Sequence, residues 1–137
     1  MKKKLIRTNC FETNSSSSHS ISICDKYLIY DTISPNSNGE IKIYGQDFGW
    51  GFDKYNDPEI KAAYALTDSN NVDLIVDVIK EQTGAEKVTF IENGYIDHQS
   101  TGTFSSLLVG TLEQQKEIIR NFIFNKNSWL FIDNDNG

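Results

Sequence analysis

"DPEIKAAYALTDSNNVDLIVDVIKEQTG", residues 57–84, is the stretch on which the fold class turns. Asp57-Pro58-Glu59 reads as a helix start: Asp57 can cap, and Pro58 fits the first helical position, where a missing N–H costs no hydrogen bond. Ile60, Ala63, Tyr64 and Thr67 then fall on one face. A second helix is expected from Asn71 to about Gln82, with Val72, Ile75, Val76 and Ile79 at helical spacing and Gly84 as its stop.

Extended segments lie on both sides of this helical block. "KKLIRTNC" (3–10) and "SISIC" (20–24) read as short strands, and "KYLIY" (26–30) as a third. "SPNSNGE" (34–40) is a turn, after which the alternating "EIKIY" (40–44) is expected to return antiparallel, so that the first part forms a meander. Downstream, "KVTFI" (87–91) and "YIDHQS" (95–100) are expected to pair as a hairpin through Asn93-Gly94. Thr111 and Gln114 have capping-box spacing for a helix to about Phe124, and "SWLFID" (128–133) closes the chain as a strand before a polar tail over 133–137. The expectation is a single α+β domain over 1–137, with a short basic start, a mostly antiparallel sheet and about three helices.

Composition agrees with a folded domain: 137 residues, 38% hydrophobic and 12% aromatic, support a core. The formal charge is −6, with 19 acids against 13 bases, and Lys2, Lys3, Lys4 and Arg7 place part of the positive charge at the very start. Such a surface repels phosphate backbones and speaks against general nucleic-acid binding. "MKKKLI" lacks the apolar run of a signal peptide, and no stretch is long enough to span a bilayer. Cys10 and Cys24, the two cysteines, are read as reduced thiols, and the protein as cytoplasmic.

The chemistry-bearing residues gather in a few places. "FETNSSSSHS" (11–20) sets Glu12, Asn14, the run Ser15, Ser16, Ser17, Ser18, and then His19 and Ser20 in ten positions. Hydroxyl and amide side chains there can fold the backbone into a turn whose N–H groups converge on an anion. The alternative is a solvated serine loop, weighed about equally. Asp97-His98-Gln99-Ser100 repeats the combination of acid, imidazole and hydroxyl, and His19 and His98 are the two histidines of the chain. Converging in one cleft, they would let one imidazole accept a proton while the other donates one, as phosphodiester chemistry requires. The catalytic candidates are therefore His19, His98, Glu12 and Asp97. The binding candidates are Asn14, Ser15–Ser18, Ser20, Ser100 and Trp50.

Trp50 lies in "FGWGF" (48–52), where alternation puts three aromatics on one face, either as core packing or as a stacking wall. His98-Gln99-Ser100 fits the His-x-Ser/Thr pair of two-histidine phosphoesterases, whereas His19-Ser20-Ile21 departs from it. No G-x-S-x-G elbow, Walker A loop or dinucleotide fingerprint is present, and the cysteines and histidines lack the paired spacing of structural zinc sites. No cofactor is indicated, and no metal is assigned.

"FETNSSSSHSISI", with "FGWG" and "IDHQS", resembles a signature of a family of tailed-bacteriophage and prophage proteins without an established activity. The resemblance covers about a third of the chain in three pieces, and it implies a phage-type origin rather than a mechanism. Two functions are expected. In the first, the polar segments bind or process a phosphate-bearing ligand such as a nucleotide. In the second, a non-enzymatic anti-defence or host-takeover protein binds a host protein through acids such as Asp47, Asp53, Asp57, Glu59, Asp68, Asp73 and Asp77.

Overall fold

Extended residues at the start of the chain zip into a hairpin. In the computed structural model, which describes residues 6–7, 10–14, 19–24, 26–48, 52–96 and 100–133, β1 (Ile6–Arg7) pairs with β2 (Cys10–Asn14), and β2 with β3 (His19–Cys24), all antiparallel. Much of the polar stretch read as a loop is therefore strand, with 11–14 in β2 and 19–20 in β3. Strand alternation buries His19, Ile21 and Ile23 while Ser20 and Ser22 stay partly exposed. The last strand, β9 (Trp129–Asp133), inserts between β3 and β6 (Phe52–Tyr55), giving the antiparallel order β1-β2-β3-β9-β6.

Cys24 is disulfide-bonded, and Cys10 stands opposite it in the β2–β3 register. The expectation of two reduced thiols is corrected on this point. The inference from thiols to a reducing compartment loses its premise.

The rest of the strand pairing departs from the meander. β4 (Glu40–Tyr44) runs parallel to β7 (Lys87–Ile91), and β5 (Asp47–Phe48) runs parallel to β8 (Tyr95–Ile96). A parallel pair needs a crossover, and α1 (Pro58–Asp68) and α2 (Val72–Thr83) lie within it. Asn93-Gly94 accordingly makes no hairpin between β7 and β8. Gly94 permits a close crossing instead, since a Cβ there would lie 2.2 Å from the Gln46 carbonyl oxygen.

"KYLIY" forms no strand. Its backbone turns instead to the end of α3 (Leu112–Phe124) and the turn beyond: Ile29 N–H donates to Asn125 Oδ1 at 3.1 Å, and Ile29 O accepts from Lys126 N–H at 2.8 Å. Tyr27, Leu28 and Ile29 consequently remain exposed.

The helices follow their local signals. Asp57 stands at the N-cap of α1 without a side-chain cap bond, and Pro58 occupies the first turn. Gly84 closes α2 in the left-handed region at φ 77°. Thr111 and Gln114 complete the capping box of α3, with Gln114 N–H on Thr111 Oγ1 at 3.1 Å and Thr111 N–H on Gln114 Oε1 at 2.8 Å. Leu74, Ile75, Val78 and Ile79 of α2 and Ile119, Phe122 and Ile123 of α3 enter one core with Ile21, Ile23, Leu130 and Ile132 of the sheet.

Helix α1 is buried more completely than an amphipathic pattern implies, from Lys61 through Leu66. The Lys61 Nζ donates to Asn125 O and Ser128 O, each at 2.8 Å, just past the C-terminal end of α3. Around it Asn125 Nδ2 donates to Cys24 O at 2.7 Å, and Ser128 Oγ donates to Asn121 Oδ1 at 2.6 Å. This polar knot ties α1, α3 and the end of β3 together. No helix among the described residues is long and apolar enough to cross a membrane.

Candidate functional site

His19 opens β3 on its buried face, one position in the series that continues with Ile21 and Ile23. An imidazole in such a place needs a polar partner. Tyr64, midway along α1, supplies it: His19 Nδ1 and the Tyr64 hydroxyl are 2.9 Å apart, and the rings meet at 5.7 Å with a 50° tilt. Phe48, at the end of β5, packs edge-on against Tyr64 at 5.0 Å. Burial pushes the Tyr64 phenol well above the usual tyrosine range, the Thr103 hydroxyl beside it acting the other way and the Asp68 carboxylate adding to the rise. Tyr64 therefore stays a neutral phenol, able to donate one hydrogen bond and to accept others.

Thr103 belongs to a turn that the end of α1 holds in place. The Asp68 carboxylate accepts backbone N–H groups from Gly102 at 2.7 Å, Phe104 at 2.8 Å and Ser105 at 3.0 Å. Within the turn, the Thr103 hydroxyl donates to Ser100 O at 2.6 Å and its N–H to the same oxygen at 3.2 Å. Ser100 and Thr103 are both buried. Asp68, counted among the surface acids from the sequence, is engaged with this backbone instead.

The sequence-derived candidates divide into three groups. His19 and Ser100 come together in one cluster, linked through Tyr64 and Thr103. Glu12, Asn14 and Ser20 occupy other positions of the hairpin: Glu12 is the register partner of Ser22, and Asn14 of Ser20, positions that alternate with the buried series containing His19. Ser15, Ser16, Ser17, Ser18, Trp50, Asp97 and His98 lie outside the described residues. Their points of attachment are nonetheless defined. Residues 15–18 lead directly into His19, 49–51 follow Phe48, and 97–99 join Ile96 to Ser100. Phe48 and Ile96 are register partners at the ends of two parallel strands.

Tyr64 and Thr103 were not singled out as functional from the sequence, and Asp68 was named only among the acids of the host-binding alternative. Tyr64 looked like one more residue on the inner face of a helix, and Thr103 lies in a stretch without a motif. Among the described residues, no group of three or more His, Cys, Asp or Glu is placed to hold a metal ion. Comparison with protein-family models, curated proteins and solved structures finds no match to this chain.

Proposed function

We propose that the protein binds a phosphate-bearing small molecule of the nucleotide type at the end of the molecule marked by His19, with His19 as an acid–base group. The observation that carries this reading is the 2.9 Å contact of the buried His19, through its Nδ1, with the Tyr64 hydroxyl. A buried phenol that does not ionise is a steady partner for an imidazole that must exchange protons. The serines of 15–18 bring hydroxyls and backbone N–H groups suited to phosphate oxygens. Trp50 brings a surface on which a base can stack, and Asp97-His98 a second imidazole with its acid. These donors would offset, at one place, the negative field of an acidic chain.

Thermal-shift measurements against nucleoside mono-, di- and triphosphates and sugar phosphates test the reading. A ligand present at about a hundred times its Kd stabilises the folded state by about 2.7 kcal/mol, which is several degrees in Tm for a domain of this size. His98→Ala is the discriminating variant, because His19→Ala would also strip Tyr64 of its partner. The expected result is a shift for one phosphate-bearing class, lost in His98→Ala at unchanged ligand-free Tm. No shift across the panel, or a shift indifferent to both His98→Ala and Trp50→Ala, overturns the proposal.

A further inference from the structure

We propose that residues 26–31, "KYLIYD", form a self-association edge, along which two copies of this chain pair antiparallel about a two-fold axis at Ile29.

Four consecutive large apolar side chains stand exposed in this segment: Tyr27 at 56%, Leu28 at 46%, Ile29 at 56% and Tyr30 at 37%. Single exposed apolar residues are ordinary in a folded protein, whereas an unbroken run marks a contact surface. The backbone shows which edge is open. Tyr27 O accepts from Asn127 Nδ2 at 2.6 Å, Ile29 bonds Asn125 Oδ1 and Lys126 N–H, and Asp31 N–H donates to Phe124 O at 2.7 Å. Tyr30 stands opposite Asn125 in an antiparallel bridge. The odd-numbered residues thus face the chain's own 124–127. In extended backbone the residues between them turn their N–H and C=O groups to the other edge.

Among the described residues, none bonds the backbone N–H or C=O of Leu28 or Tyr30, while the next N–H on that edge, from Thr32, is taken by Asp31 Oδ1 at 3.0 Å. An antiparallel partner that sets its own Tyr30 against Leu28, and its Leu28 against Tyr30, uses all of these open groups and no others. That register places Ile29 across from itself, at the closely spaced kind of strand pair where side chains touch.

Charge identifies the occupant as a second copy. Lys26 precedes the apolar run and Asp31 follows it. Antiparallel apposition brings Lys26 of each copy beside Asp31 of the other, and parallel apposition would bring like charges together. A segment that complements itself in backbone, side chains and charge fits a two-fold dimer. Four partly exposed side chains hide roughly 400 Å² per copy, which puts the dimer at the weak, reversible end of specific interfaces.

Sedimentation equilibrium from micromolar to submillimolar protein tests the proposal. The parent should pass from monomer to dimer mass as concentration rises. Ile29→Asp puts two carboxylates at the axis and should hold the protein monomeric without lowering its Tm, because Ile29 is exposed in the monomer. Lys26→Asp and Asp31→Lys should each weaken the dimer about tenfold, since symmetry turns two attractions into repulsions at once. Mixed in equal amounts, these two variants should associate as tightly as the parent, because a segment bearing only acids then meets one bearing only lysines. A parent that stays monomeric throughout, its apolar run left to another kind of partner, overturns the proposal. So does a dimer indifferent to Ile29→Asp, or a mixture of the folded charge variants that associates no better than either alone.

Discussion

The buried Lys61 should make stability rise with pH where most proteins are flat or declining. Desolvation lowers its pKa from 10.5 to about 7, with Asp57 and Asp31 acting in the opposite direction. Between those limits the unfolded chain holds a proton that the folded chain has released. Stability therefore increases as pH rises through this window and is lost as pH falls back toward 7. Each unit is worth about 1.4 kcal/mol, so the gain from pH 7 to pH 10 amounts to at most about 4 kcal/mol. The two carbonyls 2.8 Å from Nζ, at the negative end of α3, favour the ammonium and reduce that figure. They also suit the neutral amine, which has two N–H groups for two acceptors. Above pH 10 the sign reverses, because the unfolded chain ionises the Tyr64 phenol before the folded chain does.

The comparison that isolates Lys61 is with Lys61→Met, followed by urea unfolding from pH 6 to pH 10 on both proteins. Methionine fills the space of the stem and leaves Asn125 O and Ser128 O unmet, at about 1–3 kcal/mol for each buried group. The variant should thus be several kcal/mol less stable at pH 10 and much closer to the parent at pH 6. Titrations common to both proteins cancel in the difference. Two parallel stability profiles would refute the reasoning and mean that Lys61 keeps its proton throughout.

Other perturbations give sharp outcomes. Asp68→Asn presents an amide N–H₂ to backbone donors that now share one carboxylate, and should cost about 2–3 kcal/mol, with faster amide exchange at Gly102, Phe104 and Ser105 as the local readout. Cys24→Ala removes the cross-link of a loop spanning residues 10–24 and should cost about 3 kcal/mol in non-reducing buffer. In dithiothreitol the parent should fall to the level of the variant, and a parent indifferent to reductant would count against the bond's contribution.

Helix identity and limits were available in the sequence because the forces that set them act within a few residues. Pro58, Gly84 and the Thr111–Gln114 pair mark ends through hydrogen bonds and backbone angles that hardly depend on the rest of the molecule. The α+β class and the strands β3, β4, β7 and β9 followed from the same local patterns. His19 was also legible as a residue of interest, because it is one of two histidines and closes a run of hydroxyl side chains.

Pairing was decided by tertiary structure. A strand offers the same backbone donors and acceptors to any neighbour, and Asn93-Gly94 fits either a hairpin or a close crossing. Only the packing of α1 and α2 across the ribbon selects the parallel partners β4–β7 and β5–β8. "KYLIY" has strand composition, yet the end of α3 engages its backbone first. Nothing local to α1 marks Lys61 as buried; the contacts of its Nζ come from the turn at 125–128. The site has the same character. His19 and Tyr64 are 45 positions apart, and Asp68 reaches residues 34 to 37 positions further on. No local pattern encodes such contacts, because they exist only once the core has brought β3, α1 and the 100–105 turn to one place.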